Sequence, residues 1–130
     1  MKIEVIDLDV SLTENFIKFC CDELESYPDF ITIEAKENLL KNGALGLCYE
    51  LDINTEYLIV VAKNGRNITE IYNTIAHEMI HIKQYMKQNL SQSAFKEYKP
   101  PYDKRWWEIE AKENSFNLVK KYVDNLYSMV

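Results

Sequence analysis

Asn67-Ile-Thr-Glu-Ile-Tyr-Asn-Thr-Ile-Ala-His-Glu-Met-Ile-His-Ile-Lys-Gln-Tyr-Met-Lys-Gln88 is the stretch from which the rest of this chain is best read. Asn67 followed three residues later by Glu70 has the spacing of a capping box, and Ile68, Ile71, Ile75, Met79, Ile82 and Met86 recur at helical intervals. The pattern predicts a helix running to about Gln88 with its apolar stripe packed on a sheet. Inside it lies His77-Glu-Met-Ile-His81, an HExxH sequence in the helical setting that gives this pattern meaning. Residues four apart stand one turn above another, so both imidazoles project on one side, close enough to take two corners of a zinc tetrahedron. On an ideal helix Glu78 is rotated away from that corner, between the histidines and the core, where it can reach a water on the ion.

The chain has only these two histidines. An accidental HExxH would arise about twice in a thousand chains of this composition. Two idle histidines on an ordinary amphipathic helix would explain neither the pairing nor the glutamate between them.

Working back toward the N-terminus, Asn64-Gly65 breaks the chain before this helix, and Tyr57 to Ala62 is a continuous apolar run suited to a central strand. Asp52-Ile-Asn-Thr55 makes a turn, and Leu45 to Leu51 alternates. Leu45, Leu47, Tyr49 and Leu51 share one face while Gly46, Cys48 and Glu50 take the other, the pattern of a sheet-edge strand with one exposed side. Lys2 to Ile6 alternates in the same way. Ser11-Leu-Thr-Glu14 has capping-box spacing and predicts a helix to about Tyr27, ended by Pro28, before a short strand or connection at Ile31 to Ala35.

Toward the C-terminus, Asn89 to Arg105 loses periodicity and contains Pro100-Pro101, which predicts a long loop. A last helix follows from Trp106 to Tyr127, with Ile109, Phe116, Val119, Val123 and Leu126 as its buried side. Trp106 and Trp107 are expected to cement this helix to the core.

A zinc ion that keeps one position open for water needs a third protein ligand. No histidine remains, and Cys20, Cys21 and Cys48 lie upstream without a motif around them, so a carboxylate is left. The candidates are Glu108 and Glu110. Glu110 shares a face with Asn114, Asn117 and Lys121, whereas Glu108 aligns with Ser115, Val119 and Leu126 on the flank of the buried side. Glu108 is therefore the expected ligand, with Glu110 the alternative.

Bulk properties narrow the function classes. A chain of 130 residues, 47% hydrophobic and 28% charged, reads as one globular domain spanning 1–130. A formal charge of -6 works against sequence-independent nucleic-acid binding. Lys96, Lys99, Lys104 and Arg105 alternate with Glu97 and Asp103 and read as a solvated loop. Three cysteines without a disulfide framework, a first segment without the apolar run of a signal peptide, and no membrane-length apolar stretch together predict a cytoplasmic protein.

His77-Glu-x-x-His81 followed by a glutamate on a later helix resembles the gluzincin group of zinc metallopeptidases, and the small size is similar to its compact single-domain members. Thr74-Ile-Ala-His-Glu-Met-Ile-His81 and Trp107-Glu-Ile-Glu-Ala111 carry the resemblance, over a layout covering roughly residues 45–125. It implies a minimal zincin-like domain of the α+β class: a mixed sheet packed on the active-site helix, an exposed strand holding an extended peptide or protein substrate, and a C-terminal helix supplying the third ligand. It implies peptide-bond hydrolysis on zinc held by His77, His81 and Glu108, with Glu78 as general base. The chain departs from larger members in lacking a second lobe and the Glu-x-x-x-Asp pattern, since Lys112 stands four residues after Glu108. Tyr98, Tyr102 and Arg105 are the available donors for the oxyanion of such a reaction. A zinc-binding regulatory or interaction module with catalysis blocked or absent is the rival reading, and the intact Glu78 speaks against outright loss.

Overall fold

The computed structural model describes residues 1–38, 43–91 and 100–128. Along the chain it forms β1 (Lys2–Ile6), α1 (Val10–Leu24), β2 (Phe30–Lys36), β3 (Gly46–Asp52), β4 (Glu56–Ala62) and α2 (Ile68–Lys87). A 3-10 turn (Tyr102–Lys104) and α3 (Trp106–Ser128) follow. The architecture is mixed α+β: a four-stranded sheet and, among the described residues, three helices.

Sheet order is β1-β2-β4-β3, with β1, β2 and β4 mutually parallel and β3 antiparallel to β4. β2 is thus an interior strand, not a connection. Its alternation is clean: Ile31, Ile33 and Ala35 are buried, while the residues between them are half-buried. β3 forms the expected hairpin with β4 and lies at an edge. Gly46, Cys48 and Glu50 stand opposite Val61, Ile59 and Tyr57, all three fully buried, so they share the inward face. The side left exposed is the apolar one, with Leu45, Tyr49 and Leu51 each about half accessible.

The start of α1 differs from the sequence expectation. Asp9, not Ser11, is the cap, its carboxylate accepting the Leu12 N–H at 2.8 Å. The helix stops at Glu25, in the left-handed region at φ 50°, before Pro28 is reached.

α2 starts as expected. Asn67 Oδ1 accepts the Glu70 N–H at 2.8 Å and Glu70 Oε1 accepts the Asn67 N–H at 3.1 Å, both halves of the box. The helix lies against β3 and β4 while α1 and α3 cover its other flanks. Ile71, Ile75, Met79 and Ile82 are buried, and so, because α2 is enclosed on several sides, are Glu78, His81 and Gln84. Ile68, in the first turn, is exposed.

α3 presents a different face from the one its apolar residues suggest. The buried positions are Trp107, Glu108, Ala111, Ser115, Leu118, Val119 and Tyr122, whereas Ile109, Phe116, Val123 and Leu126 are exposed. Two contacts set this rotation. Small side chains at Ala111 and Ser115 sit in the buried stripe, and Tyr122 packs edge-on against Phe16 at 5.0 Å, which stacks on Tyr72 of α2 at 4.5 Å. Of the residues expected on the buried side, only Val119 is there. No helix among the described residues is long and apolar enough to cross a membrane.

The aromatic cluster gives a test of this rotation. Phe16→Ala should cost about 3–5 kcal/mol in urea unfolding, whereas Phe116→Ala, at a residue 65% exposed, should change stability by less than about 0.5 kcal/mol.

Candidate metal centre

Helical spacing puts His77 and His81 one turn apart, with ring centroids 4.8 Å from each other and the rings edge to face. The third member arrives from the first turn of α3, where the Glu108 N–H is anchored on the Arg105 carbonyl at 3.0 Å. One carboxylate oxygen, Glu108 Oε1, then lies 2.9 Å from His77 Nε2 and 3.0 Å from His81 Nε2. The possible ligand atoms of the three residues all lie within 4.8 Å of one another. Four ligands at about 2.0–2.1 Å in a tetrahedron stand about 3.3 Å apart; the two Glu108–imidazole distances fall just short of this and the group's span of up to 4.8 Å exceeds it, so the donor set can take one ion with side-chain adjustment in both directions. It is the one such group among the described residues.

His81 is oriented by a residue that sequence reasoning missed. Gln84 Nε2 donates to the Trp107 carbonyl at 2.9 Å, and because a carbonyl only accepts, this fixes which way the amide points. Gln84 Oε1 therefore faces His81 Nδ1 at 2.6 Å and must accept its proton. With Nδ1 keeping its proton on Gln84, Nε2 is the nitrogen that can give up its own proton and offer a lone pair to an ion. The only signal in sequence is that Gln84 follows His81 by three residues, which is too common to single out.

Glu110 sits outside the cluster. Its carboxylate accepts from Gln84 Nε2 at 3.1 Å, Gln88 Nε2 at 3.3 Å and Lys83 Nζ at 3.2 Å, so it clamps α3 to α2 instead of facing solvent as its helix phase suggests. It supports Gln84, which supports His81.

Charge follows burial and pairing. Burial pushes the Glu108 carboxyl up, but hydrogen bonds from both imidazoles and their charge outweigh it, holding the group well below the usual carboxylate range. Burial pushes His81 down, and the Glu108 bond, the nearby Glu78 carboxylate and Gln84 more than compensate, so its net shift is upward. Glu78 is only 5% exposed. Burial raises it above the ordinary value, against the pull of His81 and His77 and with some help from Glu108.

A cleft opens over these groups between β3 and α2. One part, about 240 Å³, is lined by Cys48, His77, Glu78, His81, Tyr85 and Trp107 among others. A wider part, about 690 Å³, reaches Leu45, Asn73, Thr74, Tyr102 and Arg105. Gly46 makes the close approach of strand and helix possible. A Cβ there would collide with the Thr74 methyl and stand 3.1 Å from Glu78 Oε2. Thr74 is itself held, its hydroxyl accepting from Arg66 Nη2 at 2.6 Å.

Of the three proposed donors, Tyr102 and Arg105 line the cleft, and Tyr98 lies outside the described residues, as does the 92–99 part of the expected loop. Burial first, then the adjacent Glu108 carboxylate, push the Tyr102 hydroxyl up to about 12, so it keeps its proton. Arg105 Nε is committed to the Pro100 carbonyl at 3.0 Å. Trp107 is buried and lines the cleft, while Trp106, edge-on to it, is 38% exposed. Cys48 also borders the cleft, its thiol kept neutral by burial and then by Glu78 and Glu50.

Two outcomes follow for the metal. In competition with a chromophoric chelator, Glu108→Ala should abolish stoichiometric binding, and Gln84→Leu should weaken it about 10–100-fold. The second concerns pH. In the metal-free protein the His81 contribution to stability is complete below its ordinary value of 6.5 and is lost as pH rises through the raised value. Metal needs the unprotonated Nε2, so the rise in Tm on adding metal should grow as pH rises from below 6.5 through the raised value, read by calorimetry. Compared with protein families, curated proteins and solved structures, the chain returns no match.

Proposed function

We propose that this protein is a zinc-dependent peptide hydrolase of gluzincin type, with His77, His81 and Glu108 holding the ion and Glu78 acting as general base. The observation that carries the reading is the convergence of two imidazole Nε2 atoms and one carboxylate oxygen beside a second, buried carboxyl in an open cleft. Two nitrogens and one oxygen make a donor set suited to catalytic zinc, which commonly has three protein ligands and one free position. Bound there, zinc supplies Lewis acidity that acidifies water and polarises a scissile carbonyl.

The remaining chemistry belongs to the chain. Glu78, its pKa raised by burial, is suited to take a proton from the attacking water and pass it to the leaving amine. Tyr102 keeps its proton and borders the cleft; its O–H is bonded to Glu108 in the metal-free protein and becomes available to the developing oxyanion when Glu108 turns to the ion, while Arg105 holds the Pro100 carbonyl through Nε. β3 is an edge strand along the cleft, and an extended peptide can add to it through main-chain hydrogen bonds. The free thiols of Cys20, Cys21 and Cys48 suit a reducing, cytoplasmic setting.

Glu78→Gln should keep the metal and lower kcat by about 10²–10⁴, and Tyr102→Phe should lower kcat by up to about 10²–10³ with little change in KM. Mass-spectrometric mapping of a library of unstructured peptides reads both. Metal-loaded wild type that leaves the library uncut would overturn the peptidase reading.

A further inference from the structure

The outer face of α3 carries a row of apolar side chains that the fold leaves in water. Ile109, Phe116 and Val123 recur every seventh residue and all are exposed, and Tyr127, 75% exposed, extends the row toward the C-terminal end. Seven residues carry an α-helix to about 20° short of two full turns, so side chains at that interval stay on one line. Eleven residues, the step from Phe116 to Tyr127, overshoot three turns by about 20° and return to the same line. The core takes none of this row, because Trp107, Ala111 and Leu118 are buried on the opposite side of the helix. A contiguous apolar strip of this kind, rimmed by charge, is the mark of a contact surface. We propose that it is the interface of a homodimer, in which α3 packs antiparallel against α3 of a second copy.

Charge decides both the partner and its direction. Glu113 and Lys120 flank the row on the same side, one before and one after Phe116, and both are exposed. Neither takes part in an ion pair among the described residues. With a two-fold axis beside Phe116 and perpendicular to the helix, Phe116 meets its own copy and Ile109 comes level with Val123 of the second chain. Glu113 then comes level with Lys120 of the second chain, on the same side of the seam. The symmetry repeats the contact with the roles exchanged, so the interface carries two opposite-charge pairs. Laid parallel, the two helices would set each of these residues level with itself and leave the opposite charges about 10 Å apart along the axis.

The other charged groups on α3 are already engaged within the chain. Lys112 Nζ lies over the Tyr102 ring at 4.8 Å, and Lys121 Nζ donates to Glu23 Oε2 at 2.6 Å. The free surface of α3 is thus its own complement: an apolar line of seven-residue period, the period of helices that pack on one another, with one negative and one positive group placed to exchange across a two-fold. This interface is independent of the metal centre.

Sedimentation equilibrium of the full chain as purified, from about 1 to about 200 μM, tests it. The expected result is a reversible monomer–dimer equilibrium with Kd on the order of 10 μM. Phe116→Glu, at a position in water in the monomer, should keep its far-UV circular dichroism and remain monomeric throughout. Glu113→Lys and Lys120→Glu should each weaken association by about tenfold, and the double variant carrying both should recover wild-type affinity to within about threefold. Urea unfolding reads the same contact. At the dilute end Phe116→Ala should match wild type, and at the concentrated end its midpoint should fall below that of wild type, which rises with concentration. A chain that stays monomeric at the top of the range leaves the face to another protein and overturns the dimer. A dimer that survives Phe116→Glu, or a charge exchange that fails to restore association, overturns the interface.

Discussion

Glu108 Oε1, met by His77 Nε2 at 2.9 Å and His81 Nε2 at 3.0 Å, is the contact on which the rest of the structure turns. It joins the two helices that pack most extensively against each other, and it does so with groups that are mostly out of water. Such a cluster is costly unless every member is paired, because desolvation rivals the attraction between the charges. Here the pairing extends outward in layers: His81 on Gln84, Gln84 on Trp107 and Glu110, Glu110 on Gln88 and Lys83. Lys83 lies near the rim, so the chain of bonds leads from the cluster toward solvent.

That network dictates how α3 lies. A helix free to bury its most apolar face would turn Ile109, Phe116 and Val123 inward, yet these are exposed. The rotation that brings Glu108 to the imidazoles also buries Ala111 and Ser115 and brings Tyr122 onto Phe16. Polar satisfaction at one end of the helix and aromatic packing at the other agree on a single orientation, and apolar area is given up to reach it.

The cleft depends on the opposite kind of constraint, a side chain that is missing. Gly46 lets β3 run close to Thr74 and Glu78, so Glu78 is sheltered by the strand while the metal-facing side stays open. Burial then raises Glu78 while pairing holds Glu108 low. Two carboxyls in one site are thus driven apart in acidity, the separation that the proposed roles of Glu78 and Glu108 call for.

Much of this was legible in the residues alone. HExxH on a capped helix and the β3-β4 hairpin with its edge strand are local properties, governed by backbone periodicity and short-range capping. What only the tertiary structure decided depends on contacts between segments distant in sequence. The parallel pairing of β2, the inward face of β3 and the buried stripe of α3 are set by register and by partners that no local pattern contains. Gln84 and Gly46 belong to the same class. A glutamine or a glycine acquires a role only when packing fixes what stands a few ångströms away.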